Sequence, residues 1–310
     1  MTISDPHATT STPLTELAAE PSPDGGGPDA ARPLRADVVK RFVRNPLAVV
    51  GLSVLVVLIL AAIFAPLIAP YSYTERTSQF RASPSWDHLF GTDTIGRDVF
   101  SRVVYGARVS LKIGILATLL ALFIGVTFGS IAGFFGGALD TALMRVTDVF
   151  LAIPYVVLAI AIATVFGRSE NSIIVVLGVT AWLPISRIVR ASFLSLRQLE
   201  YVEAATALGF SRRRIMFRHI LPNAMQPIIV YGTVSIGSVI LSEAALSFLG
   251  VGPQEPTPAW GLMVASAGAG SLATASHMLF FPAAAIFVTV LALVLVGDGL
   301  RDALDPKLKS

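Results

Sequence analysis

Apolar residues dominate the chain, and polar residues fall in short intervals between long uncharged runs. Asn45–Thr74 carries no charge for 30 residues and Ile113–Leu139 none for 27. A membrane-crossing helix needs about 20. The pattern predicts six spans: Leu47–Ile68, Ile113–Leu139, Val149–Gly167, Asn171–Phe193, Ala224–Gly250 and Met278–Gly297. Pro66 and Pro70 mark the end of the first, Pro154 lies within the third, and Pro184 is expected to kink the fourth. Gly125, Gly129, Gly133 and Gly137 recur every four residues, which predicts a face where another helix backbone approaches closely.

The polar intervals predict the remaining organisation. Residues 1–34 are rich in Pro, Ser, Thr, Asp and Gly and are expected to be a disordered tail. Residues 35–46 form a short basic amphipathic segment suited to lipid headgroups. A membrane domain then fills 47–310, with polar loops at 71–108, 194–222 and 251–277. In the first loop Asp98 is expected to cap a helix starting at Val99. Asp140, Arg145 and Asp148 read as a short turn, and 257–276 as a loop with a short interfacial helix. In the interval EYVEAATALGFSRRRIMFRHILPN, one helix runs from Glu200 to Leu208 and stops at Gly209. Ser211 caps a second, which Pro222 interrupts. Each is too short to be stable alone in water, so the pair needs a surface.

Composition agrees with an all-α membrane protein. Of 310 residues, 54% are hydrophobic and 14% charged, with a mean hydropathy of +0.72. A soluble domain carries about 25% charged residues. The chain has no cysteine, so disulfides and thiolate metal sites are excluded. With six spans and both termini inside, 16 of the 23 lysines and arginines lie inside and 7 outside, as the positive-inside rule requires. The loop at 71–108 opposes that trend, holding most of the outside positives. The one short basic run, Arg212–Arg214, lacks the stacking aromatics of a nucleic-acid surface; lipid or protein contact fits it better.

Recognisable chemistry is sparse. No lysine follows a glycine, so no phosphate-binding P-loop is present, and no local signature of a zinc or serine protease occurs. His7, His88, His219 and His277 are scattered over different segments. Glu243 is the only acid in the fifth span, near its outer end, either lining a pathway or accepting a structural hydrogen bond.

Four motifs resemble one family. Glu203-Ala204-Ala205, three residues, Gly209, then Leu221-Pro222 resembles the EAA motif of permease subunits of bacterial ABC importers. GTDTIGRD (91–98), SEAALSFLGVGPQEPTPAWG (242–261) and GDGLRDALDP (297–306) are similar to its dipeptide/oligopeptide/nickel branch, the C-type subunit above all. One position departs: an apolar residue is common two before Leu221, and here it is His219. The resemblance covers about Lys40 to Lys309. It implies a type I ABC importer permease fold with both termini cytoplasmic, in the bacterial plasma (inner) membrane. It implies coupling to ATPase subunits through Glu203, Ala204, Ala205, Gly209, Phe210 and Ser211. A candidate external docking loop comprises Gly91, Thr92, Asp93, Gly96, Arg97 and Asp98. The implied partners are a homologous second permease, two ATPase subunits or domains, an external substrate-binding protein and membrane lipid, with no nucleic acid. No cofactor is expected in this chain; ATP and Mg belong to the ATPases. Peptide is the leading solute, with nickel or another small solute as alternative. An intramembrane enzyme, a passive channel and a scaffold are the readings from other classes.

Overall fold

A computed structural model describes residues 34–268 and 274–304. The expected tail over 1–34 thus lies outside the described residues, save Leu34. Apart from one isolated bridge between Thr92 and Asp98, every regular element among the described residues is helical. Helix α1 is Leu34–Arg44, α2 Pro46–Ile63 and α3 the single turn Ala65–Ile68. After a long loop come α4 (Val99–Phe135), α5 (Gly137–Ala152), α6 (Tyr155–Phe166) and α7 (Glu170–Leu196). The polar interval holds α8 (Glu200–Ala207) and α9 (Arg212–Arg214). A π-helical stretch, Ile215–Ile220, leads into α10 (Leu221–Phe248). Helices α11 (Trp260–Ala267) and α12 (His277–Leu304) follow.

Local chemistry sets these boundaries. The Asn45 side chain accepts from Leu47 N and Ala48 N at 3.1 and 3.2 Å, capping α2. At its other end the Arg108 guanidinium donates to the carbonyls of Ala62 and Ile63 at 3.0 and 2.9 Å, filling acceptors the helix end leaves open. Asp98 caps α4 as expected, accepting from Ser101 N at 2.7 Å.

Glycine contacts reveal the direction of each span. A Cβ on Gly125 would lie 2.7 Å from Ile185 Cβ, on Gly129 2.5 Å from the Ser186 carbonyl, and on Gly133 2.6 Å from Phe193 Cβ. Numbers rise together along both helices, so α4 and α7 run parallel with backbones nearly touching. The expected glycine seam is therefore real, except that Gly137 has no neighbour within 4 Å and instead opens α5. Parallel neighbours require a return crossing between them. Only α5 and α6 supply it, although they meet at a 92° bend. Helix α10 runs antiparallel to α4 (Gly114 against Ile240, Gly232 against Leu122). Helix α12 opposes both α10 (Gly297 against Val234) and α2 (Gly51 against Ala292). Among the described residues, five helices are long and apolar enough to cross a membrane, and the bent pair makes the sixth crossing. The described chain ends, in α1 and α12, thus lie at the same end of the bundle as α8.

Several boundaries differ from the sequence reading. The third span is not continuous over 149–167. The residue before a proline is pushed out of helical geometry, and Ile153 (ψ 126°) breaks the chain before Pro154. Asp140, Arg145 and Asp148 sit on α5 rather than in a turn. Asp140 and Asp148 fall two helical turns apart, where Arg190 meets Asp140 at 2.5 and 2.6 Å and Arg187 meets Asp148 at 2.6 Å. Pro222 does not interrupt its helix. The wider π turn before it (Leu221 N to Met216 O) makes room for the proline ring, and residues 212–248 run on as one span. The 71–108 loop ends at Asp98, because α4 begins there. Helix α11 packs inward against α4, α10 and α12, with Trp260 Nε1 donating to the Val103 carbonyl at 2.8 Å.

Candidate functional site

The end of the bundle that carries both described chain termini presents α8 and α9 as a shelf. Helix α8 closes with a Schellman turn. Gly209 has φ +75°, its N–H donates to Thr206 O at 3.0 Å, and Phe210 N donates to Ala205 O at 3.2 Å. Ser211 then accepts from Arg214 N at 3.4 Å and starts α9. The Arg214 guanidinium lies 4.2 Å from the centre of the Phe210 ring, whose other stacking neighbour is His219 at 5.7 Å. These contacts fix the turn's shape.

The shelf has an inner and an outer face. Val202 and Ala205 are buried against Phe193, Ile215, Met216 and Ile220. Glu203, Ala204, Ala207, Gly209 and Ser211 are exposed, and Leu208 is 73% exposed. Ala205 is thus a packing residue within this chain, and only Ala204 of the alanine pair faces outward. Beside the shelf opens a groove of about 800 Å³ lined by Phe134, Phe135, Arg197, Glu203, Phe210 and Arg212 among others. It mixes aromatic walls with both signs of charge, the composition of a protein-docking surface.

At the opposite end the other predicted motif folds inward. Gly91, Thr92, Asp93, Gly96, Arg97 and Asp98 are all buried, so they do not form an exposed docking loop. They tie a knot instead. Asp93 accepts from Arg97 Nε at 2.6 Å and from the N–H groups of Ile95 and Arg97 at 2.9 Å each. Glu255, from the loop after α10, bridges Arg97 and Arg102, with Oε1 3.1 Å from Nη2 of each. Asp98 also accepts from His88 Nδ1 at 2.9 Å, and His277 Nε2 donates to the Thr92 carbonyl at 3.1 Å. Gly96 has φ +81° with the Thr77 carbonyl packed against its Cα, leaving no room for a side chain. Burial pushes the Glu255 carboxyl up, but the Arg97 hydrogen bond and the nearby Arg102 charge outweigh it and hold it below its usual range. Burial likewise works against the Arg97 cation, and its bonds to Glu255 and Asp93 keep it above its usual value. Neither Glu255 nor Arg102 could be assigned from sequence, since their partner lies about 150 residues away.

Glu243 sits in the last two turns of α10 and is 1% exposed. Ser247 Oγ, one turn on, donates to its Oε1 at 2.6 Å, while Oε2 has no hydrogen-bond partner among the described residues. The hydrogen bond thus comes from Ser247 of its own helix rather than from a neighbouring helix or a loop arginine.

The profile described as "Binding-protein-dependent transport system inner membrane component" matches residues 125–310. The "N-terminal TM domain of oligopeptide transport permease C" matches 34–84. The chain is 43% identical to the dipeptide transport system permease protein DppC of Alkalihalophilus pseudofirmus, over 94% of this chain and 96% of that one. It is 45% identical to the oligopeptide transport system permease protein OppC of Bacillus subtilis, covering 88% and 90%. The glutathione transport system permease protein GsiD of Pectobacterium atrosepticum is 41% identical, covering 87% and 90%. Among solved structures, the MetNI methionine ABC transporter aligns with a TM-score of 0.57 at 18% identity, over 66% of this chain and 98% of that chain, a likeness of fold. With six crossings, an exposed shelf and these relatives, the chain belongs to the binding-protein-dependent transport system inner membrane component family: it is a multi-pass inner-membrane permease subunit of an ABC importer, a transporter component rather than an enzyme, that works with ATPase and substrate-binding partners.

Proposed function

We propose that this permease carries short peptides and takes its driving force through the α8–Gly209–α9 shelf. The relatives named for dipeptide, oligopeptide and glutathione transport support the solute class, since all three solutes are built on peptide bonds. The observation that carries the coupling assignment is the two-faced shelf. Val202 and Ala205 anchor it to the spans, while Glu203 and Ala204 face outward beside the open groove. Push on the outer face passes straight into the π turn and α10, because no flexible linker separates them.

In this reading the shelf and both chain ends are cytoplasmic. A second, homologous permease completes the pathway, two ATPase subunits dock on the two shelves, and an external binding protein delivers solute at the knotted end. ATP and Mg are bound and used in the ATPases. Ala204 lets the partner approach closely, and Glu203 offers a charge to a basic residue across the contact.

The test uses the assembled importer. Glu203→Arg reverses the exposed charge, and like-charge juxtaposition across an interface costs several kcal/mol. Gly209→Pro removes the φ +75° turn, which proline cannot adopt. Each variant is expected to remain in the membrane yet lose peptide-stimulated ATP hydrolysis and uptake. Normal uptake by either one refutes the coupling assignment.

A further inference from the structure

The break between α5 and α6 opens a cavity of about 380 Å³ halfway along the bundle. Its walls are α7 around Pro184, the middle of α10, and Phe150–Leu158 of the bent pair. That volume falls in the range of small-molecule sites, about 300–1,000 Å³. No charged side chain lines it, yet six hydroxyls do: Tyr155, Thr180, Tyr231, Ser235, Ser238 and Ser242.

The hydroxyls are arranged, not scattered. Tyr231, Ser235, Ser238 and Ser242 follow helical spacing on one face of α10, over about 16 Å at 1.5 Å per residue. Tyr155 of α6 and Thr180 of α7 line the same cavity. Ser242 and Thr180 bond carbonyls of their own helices, as such residues do inside a span. The hydroxyls of Tyr231, Ser235 and Ser238 have no hydrogen bond among the described residues. Ser238 is exposed and Tyr231 and Ser235 are half-buried, so the three hydroxyls are open to the cavity, where a polar visitor can reach them.

We infer that this cavity is a transit site for the uncharged peptide backbone, where the hydroxyls of Tyr231, Ser235 and Ser238 exchange hydrogen bonds with amide N–H and C=O groups. The inference rests on the peptide reading above. A hydroxyl both donates and accepts, so it serves either amide group in either chain direction. The absence of charge among the lining residues suits passage, because a conducting site must bind strongly enough to admit a solute and weakly enough to release it. Backbone recognition also leaves side chains unread, as a carrier of varied peptides requires.

The chain has no cysteine, so Ser238→Cys adds a single reporter of this chain on the cavity wall. The complete importer carrying that variant is reconstituted with its binding protein and ATP. Labelling by a membrane-permeant thiol reagent is timed with and without trialanine, alongside trialanine uptake. Leu241→Cys, on the same helix but outside the cavity lining, is the control. Labelling of Ser238→Cys is expected to slow roughly tenfold at a trialanine concentration ten times its dissociation constant, as mass action dictates, while Leu241→Cys is unaffected. Trialanine uptake with an unchanged Ser238→Cys labelling rate, or with equal slowing at Leu241→Cys, overturns the transit site alone. A wild-type complex that imports neither trialanine nor any other short peptide overturns the solute reading, and the transit site with it. If Ser238→Cys fails to assemble, Ser235→Cys serves as the reporter with the same outcomes.

Discussion

The two ends of this bundle treat polar residues in opposite ways. At one end, GTDTIGRD is rich in charge and glycine, and its six singled-out residues are buried in a knot with Glu255, Arg102 and His277. At the other, the polar residues of EYVEAATALGFS turn outward from two buried anchors, Val202 and Ala205. Both stretches interrupt long apolar runs, and both read from sequence as surface contact motifs. The difference lies in whether the charges find partners within the chain. Asp93, Arg97, Arg102 and Glu255 neutralise one another. Glu203 and Arg212–Arg214 have no ion pair among the described residues, although Arg214 stacks on Phe210. A paired cluster holds loops together, whereas an unpaired one is left available to another molecule.

The strongest way to break this contrast is Asp93→Ala. It removes one of two carboxylates that balance Arg97 and Arg102 and leaves the N–H groups of Ile95 and Arg97 without an acceptor. Breaking a buried pair by deleting one partner costs about 3–5 kcal/mol. The thermal midpoint of the purified permease is expected to fall sharply. Glu203→Ala, on the exposed shelf, should change stability by no more than about 0.5 kcal/mol. Equal shifts for the two would abolish the distinction between knot and shelf.

Acid should loosen the same end more gently. The Glu255 carboxyl is held below its usual value of 4.5 by Arg97 and Arg102. A group depressed in the folded state contributes stability above its unfolded pKa and loses it as pH falls through the folded one. Protection of the 71–98 and 249–259 loops against hydrogen exchange, taken relative to the intrinsic rate at each pH, is therefore expected to fall as pH drops from 4.5 downward, and Glu255→Gln should flatten that response. An unchanged pH profile in the variant would show that another acid governs the knot.

Much of the frame was legible beforehand because membrane crossing leaves long, composition-driven signals. The long spans, the Asp98 cap, the glycine seam and the Gly209 turn each depend on residues close in sequence. Three features were not legible for the opposite reason. The amphipathic α5 looked like a turn because its acids pair with Arg187 and Arg190, some 40 to 50 residues on. Pro222 looked like a helix stop because a π turn has no residue signature of its own. The knot looked like a docking loop because Glu255 lies 158 positions from Arg97. Of the candidate site, the outward character of Glu203 and the role of Gly209 were readable, while the inward turn of Ala205 needed the packed shelf.

On the shelf itself, Gly209→Ala sharpens the contrast at intermediate cost. A side chain held at φ +75° costs about 1–2 kcal/mol. Nothing lies within 4 Å of the added Cβ, so the whole cost is backbone strain. The strain can be relieved by local unwinding of the last turn of α8. The expected signature is faster exchange at Leu208–Phe210, little change in thermal midpoint, and weaker stimulation of ATP hydrolysis. A large fall in midpoint would mean that the shelf is as structural as the knot.

The smallest effect separates two roles of one residue. Arg214 stacks on Phe210, a contact worth about 0.5–1 kcal/mol at an exposed site. It also belongs to a run of three arginines at a helix start, where the helix dipole disfavours cations. Arg214→Met keeps an apolar stem on the ring and deletes the charge. If the charge serves only to pin Phe210, the variant should lose that small stability and bind the ATPase with an unaltered salt dependence. If it also faces the partner, ATPase binding should weaken most at low ionic strength, because screening shortens to about 3 Å at 1 M salt. The second result is the expected one, since Arg214 is exposed and has no ion pair among the described residues.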